Sequence, residues 1–81
     1  MGKEWMAEKD SFEVVDARRL EGNFLPMIKE KAAELESGQG MHIIQSFKPI
    51  PLYGVMKKLG FEYETEKTAK GEYHIYFFKM E

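Results

Sequence analysis

The chain contains no cysteine. Disulfide stapling, thiolate metal sites and every form of cysteine-based catalysis are removed together. Such a chain is at home in a reducing compartment, and the expected setting is the cytoplasm. No apolar run approaches the roughly 20 residues that span a bilayer. The opening MGKEWMAEKD holds no apolar stretch of signal-peptide length, so no membrane role is expected. Charge of one sign is lacking too: 12 basic and 14 acidic residues leave a net −2. Proteins that grip phosphate backbones usually carry a basic excess, so a nucleic-acid partner is not expected.

What is present suffices for one small domain. Eighty-one residues, 43 % hydrophobic and 14 % aromatic, supply apolar material for a single two-layer core. Residues 1–11 are polar apart from Trp5 and Met6 and read as an N-terminal tail, with the domain running over 12–81. Within that domain, one stretch organises the rest: FKPIPLYGVMKKLGFEYE, Phe47 to Glu64. It reads as a strand end, a proline-bounded turn, an amphipathic helix closed by glycine and the start of another strand.

In chain order, Phe12–Asp16 is a short strand with β-branched residues at its centre. A loop, ARRLEGN, leads to Asn23 as helix N-cap, with Pro26 in the first turn where its missing N–H costs nothing. Phe24, Ile28, Ala32 and Leu35 recur at helical spacing, and the first helix is expected to stop at Ser37–Gly38. Met41–Phe47 is the second strand, continuous enough in apolar residues for an interior position. Pro49 and Pro51 end it. The second helix carries the stripe Leu52, Val55, Met56 and Leu59 and closes at Gly60. Phe61–Lys67 alternates, with Phe61, Tyr63 and Thr65 one way and Glu62, Glu64 and Glu66 the other. Thr68–Gly71 turns the chain into the last strand, Glu72–Lys79. The order β-α-β-α-β-β makes this an α+β chain: a two-layer sandwich with a four-stranded mixed sheet and both helices on one face. Strands one to three run parallel in this reading, and the last runs antiparallel to its neighbours.

Three features resemble a known group: the order of elements, Asp16-Ala17-Arg18 after the first strand, and PIPLYGVMKKLGFEYE from Pro49. Over Phe12 to Lys79 they are similar to the TusA/SirA-like fold, above all to its uncharacterised branch. That branch is a domain of unknown function which often carries a Pro-x-Pro-Leu turn before its second helix. The TusA branch carries persulfide on the cysteine of a Cys-Pro-x-Pro motif at the start of helix one. Here Gly22-Asn23-Phe24-Leu25 stands at that place without cysteine or proline, so the resemblance does not bring persulfide relay with it. The uncharacterised branch often has Asp-His-Asp-Pro after the second strand. This chain has Ser46-Phe47-Lys48-Pro49, and a metal or acid–base role for that run does not transfer.

Two candidate surfaces follow from the residues themselves. The first lies at the edge where strand C-termini meet helix N-termini, whose unpaired N–H groups favour anions. Arg18, Arg19 and Lys48 sit in the loops there, and Asn23 and Ser46 add hydrogen-bonding groups. A small anion or acidic segment would suit them; solvated loop charges, with Arg18 paired to Asp16 or Glu21, is the plainer alternative. The second is the sheet face turned away from the helices, where His74, Tyr76, Phe78 and Met80 should stand together. A protein partner or a second copy of the chain would bury them; coverage by Trp5 and Met6 is the competing reading. RNA stacking is disfavoured by Glu62, Glu64 and Glu66.

His42 and His74 lie on strands that could adjoin, with Glu13 or Glu72 in reach, but nothing in the sequence fixes a metal geometry, and no metal or cofactor is expected. Ser11, Ser37 and Ser46 sit in no nucleophile motif. The expected role is therefore a non-catalytic interaction or adaptor module, with anion binding as the alternative.

Overall fold

A computed structural model describes residues 4–19, 25–48 and 50–80. The strands are β1 (Glu13–Asp16), β2 (Gly40–Gln45), β3 (Phe61–Ala69) and β4 (Glu72–Lys79), and the helices are α1 (Leu25–Glu34) and α2 (Ile50–Lys58). They form one four-stranded sheet in the order β1-β2-β4-β3. β1 and β2 are parallel, while β4 runs antiparallel to both β2 and β3. β3 is thereby parallel to β2, and the α+β two-layer arrangement stands as expected.

Parity along the strands decides what faces what. Val15, Met41, Ile43, Ile75 and Phe77 point to one side and pack with Ile28 and Ala32 of α1 and Leu52 and Met56 of α2. Both helices therefore cover this one face. The opposite face carries Val14 beside His42, His42 beside Tyr76, and Tyr76 beside Glu64, then Asp16, Ile44, His74 and Glu66 in the next row. Ile44 belongs to that outer face, while Ile43 lies in the core.

Several boundaries differ from expectation for local reasons. α1 ends at Glu34, and Leu35 N–H already bonds Ala32 C=O in a tighter turn. Gly38 takes the left-handed conformation (φ 87°), and its N–H reaches Lys79 C=O, tying the helix exit to β4. β2 starts at Gly40 and stops at Gln45, before Ser46 and Phe47. β3 runs on to Ala69, with a register shift between Lys67 and Ala69, so the hairpin turn is only Lys70–Gly71. In α2, Leu59 is exposed instead of completing the buried stripe.

Residues 4–11 of the N-terminal tail are not loose. Glu4–Ser11 forms a 3₁₀ helix, and Trp5 is only 7 % exposed. Its ring stacks on Phe78 at 5.4 Å and on Phe12 at 6.1 Å, and its Nε1–H donates to Glu62 Oε1 at 3.0 Å. Trp5, Phe12 and Tyr76 form a second small core on the outer face, flanked by Met6 and Phe78. Tyr76 and Phe78 are therefore not the bare aromatic patch expected from the sequence. Two ring stacks and one hydrogen bond make burial under the tail more favourable than leaving those rings in water.

Candidate functional site

Two places on the molecule collect chemistry. On the outer face, a polar chain joins side chains from all four strands. The carboxylate of Asp16 at the end of β1 accepts Nε–H (2.9 Å) and an Nη2 hydrogen (2.8 Å) from Arg18. Arg18 Nη1 reaches across to Glu72 Oε1 at 3.2 Å. Glu72 Oε2 lies 2.7 Å from His74 Nε2, and Thr68 Oγ1 donates to the same carboxylate. His74 Nδ1 stands 2.7 Å from His42 Nε2 on the neighbouring strand, and the His42 ring packs on Tyr76 at 4.3 Å.

The carboxylate decides the protonation pattern. Glu72 accepts from Nε2–H of His74, so neutral His74 offers Nδ1 as an acceptor to His42 Nε2–H. With both rings doubly protonated, N–H would face N–H across 2.7 Å, which the geometry does not tolerate. Burial holds the His42 pKa below its usual value of 6.5, and the charges of His74 and Lys9 push it further down while Glu66 opposes them. The hydrogen bond from His74, with help from Thr68 and Arg18, lowers Glu72. Among the described residues, no group of three or more His, Asp or Glu side chains is arranged to hold a metal ion. Glu13 is spent elsewhere, on Lys31 of α1 at 2.6 Å.

These shifts give a pH dependence with a definite sign. A histidine whose folded-state pKa lies below its unfolded one leaves the native state with fewer protons than the unfolded chain. Stability is then lost as pH falls through and below about 6.5, and Glu72 adds a loss in the same direction at lower pH. The urea midpoint is expected to be lower at about pH 5.5 than at about pH 7.5, with a smaller difference in His42→Gln. An unchanged pH dependence in that variant would show that the pair does not control it.

The second place is an open groove of about 710 Å³ along β3, lined by Lys48, Ile50, Tyr53 and Lys57 on one wall and by Glu62, Tyr63, Glu64 and Thr65 on the other. Tyr53 and Tyr63 stack face to face at 4.2 Å with an interplanar angle of 1°, and the Tyr53 hydroxyl lies 2.6 Å from Thr65 Oγ1. The same tyrosine packs against Phe77 of the core, which fixes the platform from below. Ile50, at the first turn of α2, is 60 % exposed at the rim, and Phe47 just before it is also exposed.

The structure distributes the sequence-predicted residues differently from the expectation. Arg18 is held by Asp16 and Glu72 on the outer face, while Lys48 lines the groove beside α2. Ser46 is exposed. Asn23 and the side chain of Arg19 lie outside the described residues. Among the described residues, the expected anion-binding cluster is thus not assembled. Arg18 pairs with Asp16, as in the plainer alternative, and also with Glu72. Gln45, at the end of β2 on the helix side, is 1 % exposed, and among the described residues its Nε2 has no hydrogen-bond partner. Of the expected interaction surface, Tyr76 is buried, His74 and Phe78 are half-buried, and Met80 is exposed.

The groove was missed because the helix stripe assigned Leu52, Val55, Met56 and Leu59 and left Ile50 and Tyr53 without a role. An isoleucine and a tyrosine three apart on the helix, outside the expected buried stripe, were the available signal.

Residues 14–79 match the family described as an uncharacterized conserved protein (DUF2249). The chain belongs to the DUF2249 family. The match opens inside β1 and closes with β4, so both helices, β2, β3, β4 and all of β1 but Glu13 lie within the family's span, whereas Trp5 and Phe12 lie before it. No curated protein and no solved structure matches the chain. No helix among the described residues is long and apolar enough to cross a membrane.

Proposed function

We propose that this DUF2249 domain is a non-catalytic protein-interaction module of TusA-like fold that docks its partner in the groove between α2 and β3. The observation that carries this reading is Ile50, a large apolar side chain standing 60 % exposed at the rim of a groove floored by stacked tyrosines. Exposed apolar groups beside aromatic side chains held rigid by the core are what docking surfaces use as anchors. The outer sheet face is the poorer surface, because the 3₁₀ helix already occupies its aromatic half. The element order supports the TusA-like assignment, and the lack of cysteine speaks against a persulfide carrier. A cytoplasmic setting belongs to the same reading, since nothing in the chain requires oxidation. A small anion at the helix edge has less support, with Arg18 already neutralised by two carboxylates.

The test is recovery of the partner on the immobilised full chain from its own host. Ile50→Glu is expected to cut recovery by about tenfold or more, as loss of a central apolar anchor does. Val14→Glu, at an equally exposed position on the far face, should leave recovery intact. Both positions face solvent, so neither change should unfold the domain. Undiminished recovery with Ile50→Glu would remove the groove as the docking site.

A further inference from the structure

Resting on the docking reading above, we infer that the groove receives an extended segment of another protein, which pairs with β3 as a fifth strand. That segment alternates apolar side chains toward α2 with lysine or arginine toward the outer face.

The sheet order leaves β3 at a border, with β4 its only strand neighbour among the described residues. The opposite border, β1, is four residues long, whereas β3 has nine. Register shows which backbone groups face outward. In an antiparallel pair, residues alternate between exchanging hydrogen bonds with the partner and pointing away from it. Met80 N–H donates to Gly60 C=O at 2.9 Å, and the register continues as Glu62 opposite Phe78 and Glu64 opposite Tyr76. The even residues of β3 therefore bond β4, and Tyr63 and Thr65 direct N–H and C=O to the border. Lys79 agrees, since its N–H and C=O are taken by Gln39 and Gly38 on the other side of β4. The groove runs along this same border, from Glu62 to Thr65.

The side chains flanking those backbone groups define the occupant. Toward α2 an added strand meets Ile50 and the Tyr53–Tyr63 stack, which accept apolar groups, with Lys48 and Lys57 on the same wall. Toward the outer face it meets Glu62, Glu64 and Glu66 in a row; Glu62 accepts from Trp5 and Glu66 lies 3.9 Å from Lys9, and the row keeps a net negative charge that favours positive charge directly opposite. This row also disfavours a second copy of the chain. Two-fold antiparallel pairing of β3 with itself, with faces matched and centred anywhere from Glu62 to Glu66, sets glutamate against glutamate. Charged residues and the shift at Lys67/Ala69 are devices that keep an edge from pairing at random. Recognition by strand addition then draws affinity from the main chain and specificity from alternate side chains.

The probe is a synthetic nine-residue peptide alternating valine with lysine, matched to the nine residues of β3, and a second peptide with glutamate for lysine. Each is added to the full chain while amide exchange is followed residue by residue. The lysine peptide is expected to slow Tyr63 and Thr65 by about tenfold at saturation, with Glu62 and Glu64 unchanged and the glutamate peptide without effect. Equal effects of both peptides would overturn the charge assignment. Shifts at Ile50 and Tyr53 without slowing of Tyr63 and Thr65 would overturn strand addition while leaving the groove as the docking site. Slowing of those two amides on raising protein concentration alone would make a second copy the occupant. No response to either peptide would exclude this class of segment, while the Ile50→Glu recovery experiment judges the groove separately.

Discussion

Phe77→Ala is expected to lower the free energy of unfolding by about 3–5 kcal/mol, the range for removing a fully buried phenylalanine. Phe77 is 0 % exposed on β4, with Met41 as its neighbour on β2 and Tyr63 on β3. Its ring contacts Phe61 edge-on at 6.5 Å, Tyr63 at 6.1 Å and Tyr53 at 6.4 Å, so one truncation opens a void under both helices and under the groove. At roughly 0.05–0.15 kcal/mol per residue, a chain of this length has only about 4–12 kcal/mol in total. The variant should be marginally folded at 25 °C, with an early urea transition by far-UV circular dichroism. A loss below about 1 kcal/mol would mean that the core does not centre on this residue.

Gly40→Ala is expected to cost about 2–3 kcal/mol for a different reason, overpacking. An added Cβ would lie 2.6 Å from the Phe77 carbonyl oxygen and 2.7 Å from two ring carbons of Phe12. The carbonyl belongs to the backbone of the central strand and cannot yield; Phe12 is held under Trp5. The methyl group must therefore push apart β2 and β4 or lift the aromatic cluster off the sheet. Tryptophan fluorescence, reporting Trp5 alone, should shift to the red in step with the lost stability. Gly54→Ala is the control: nothing lies near its Cβ, and alanine in a helix should be neutral or stabilise by up to about 1 kcal/mol. Wild-type stability in Gly40→Ala would contradict the close approach of Phe12 to the sheet.

How far the sequence foretold this follows from which signals are local. The alternation in EYHIYFFK gave the bounds and parity of β4, because a strand with one covered face must alternate. The same alternation in FEYETEK placed the glutamates on the outer face. Gly60, at φ 92°, ended α2 where only a left-handed residue could. Trp5 was harder: a lone tryptophan in a polar stretch has no periodicity, and its docking depends on Phe78 some seventy residues away by fold alone. The approach of His42 to His74 was open as a possibility, but their hydrogen bond needed the register of β2 against β4. The groove was the least legible, since it exists only because β4 inserts beside β2 and sends β3 to the border. No local pattern encodes strand order.

The central claim is that a partner docks between α2 and β3. Photo-crosslinking tests it most directly, with a photoreactive residue placed at Ile50 in one variant and at Val14 in another, each activated in the native host. The account predicts a defined adduct from position 50 and none from position 14. An adduct from position 14 with none from position 50 would move the working surface to the outer sheet face and contradict it.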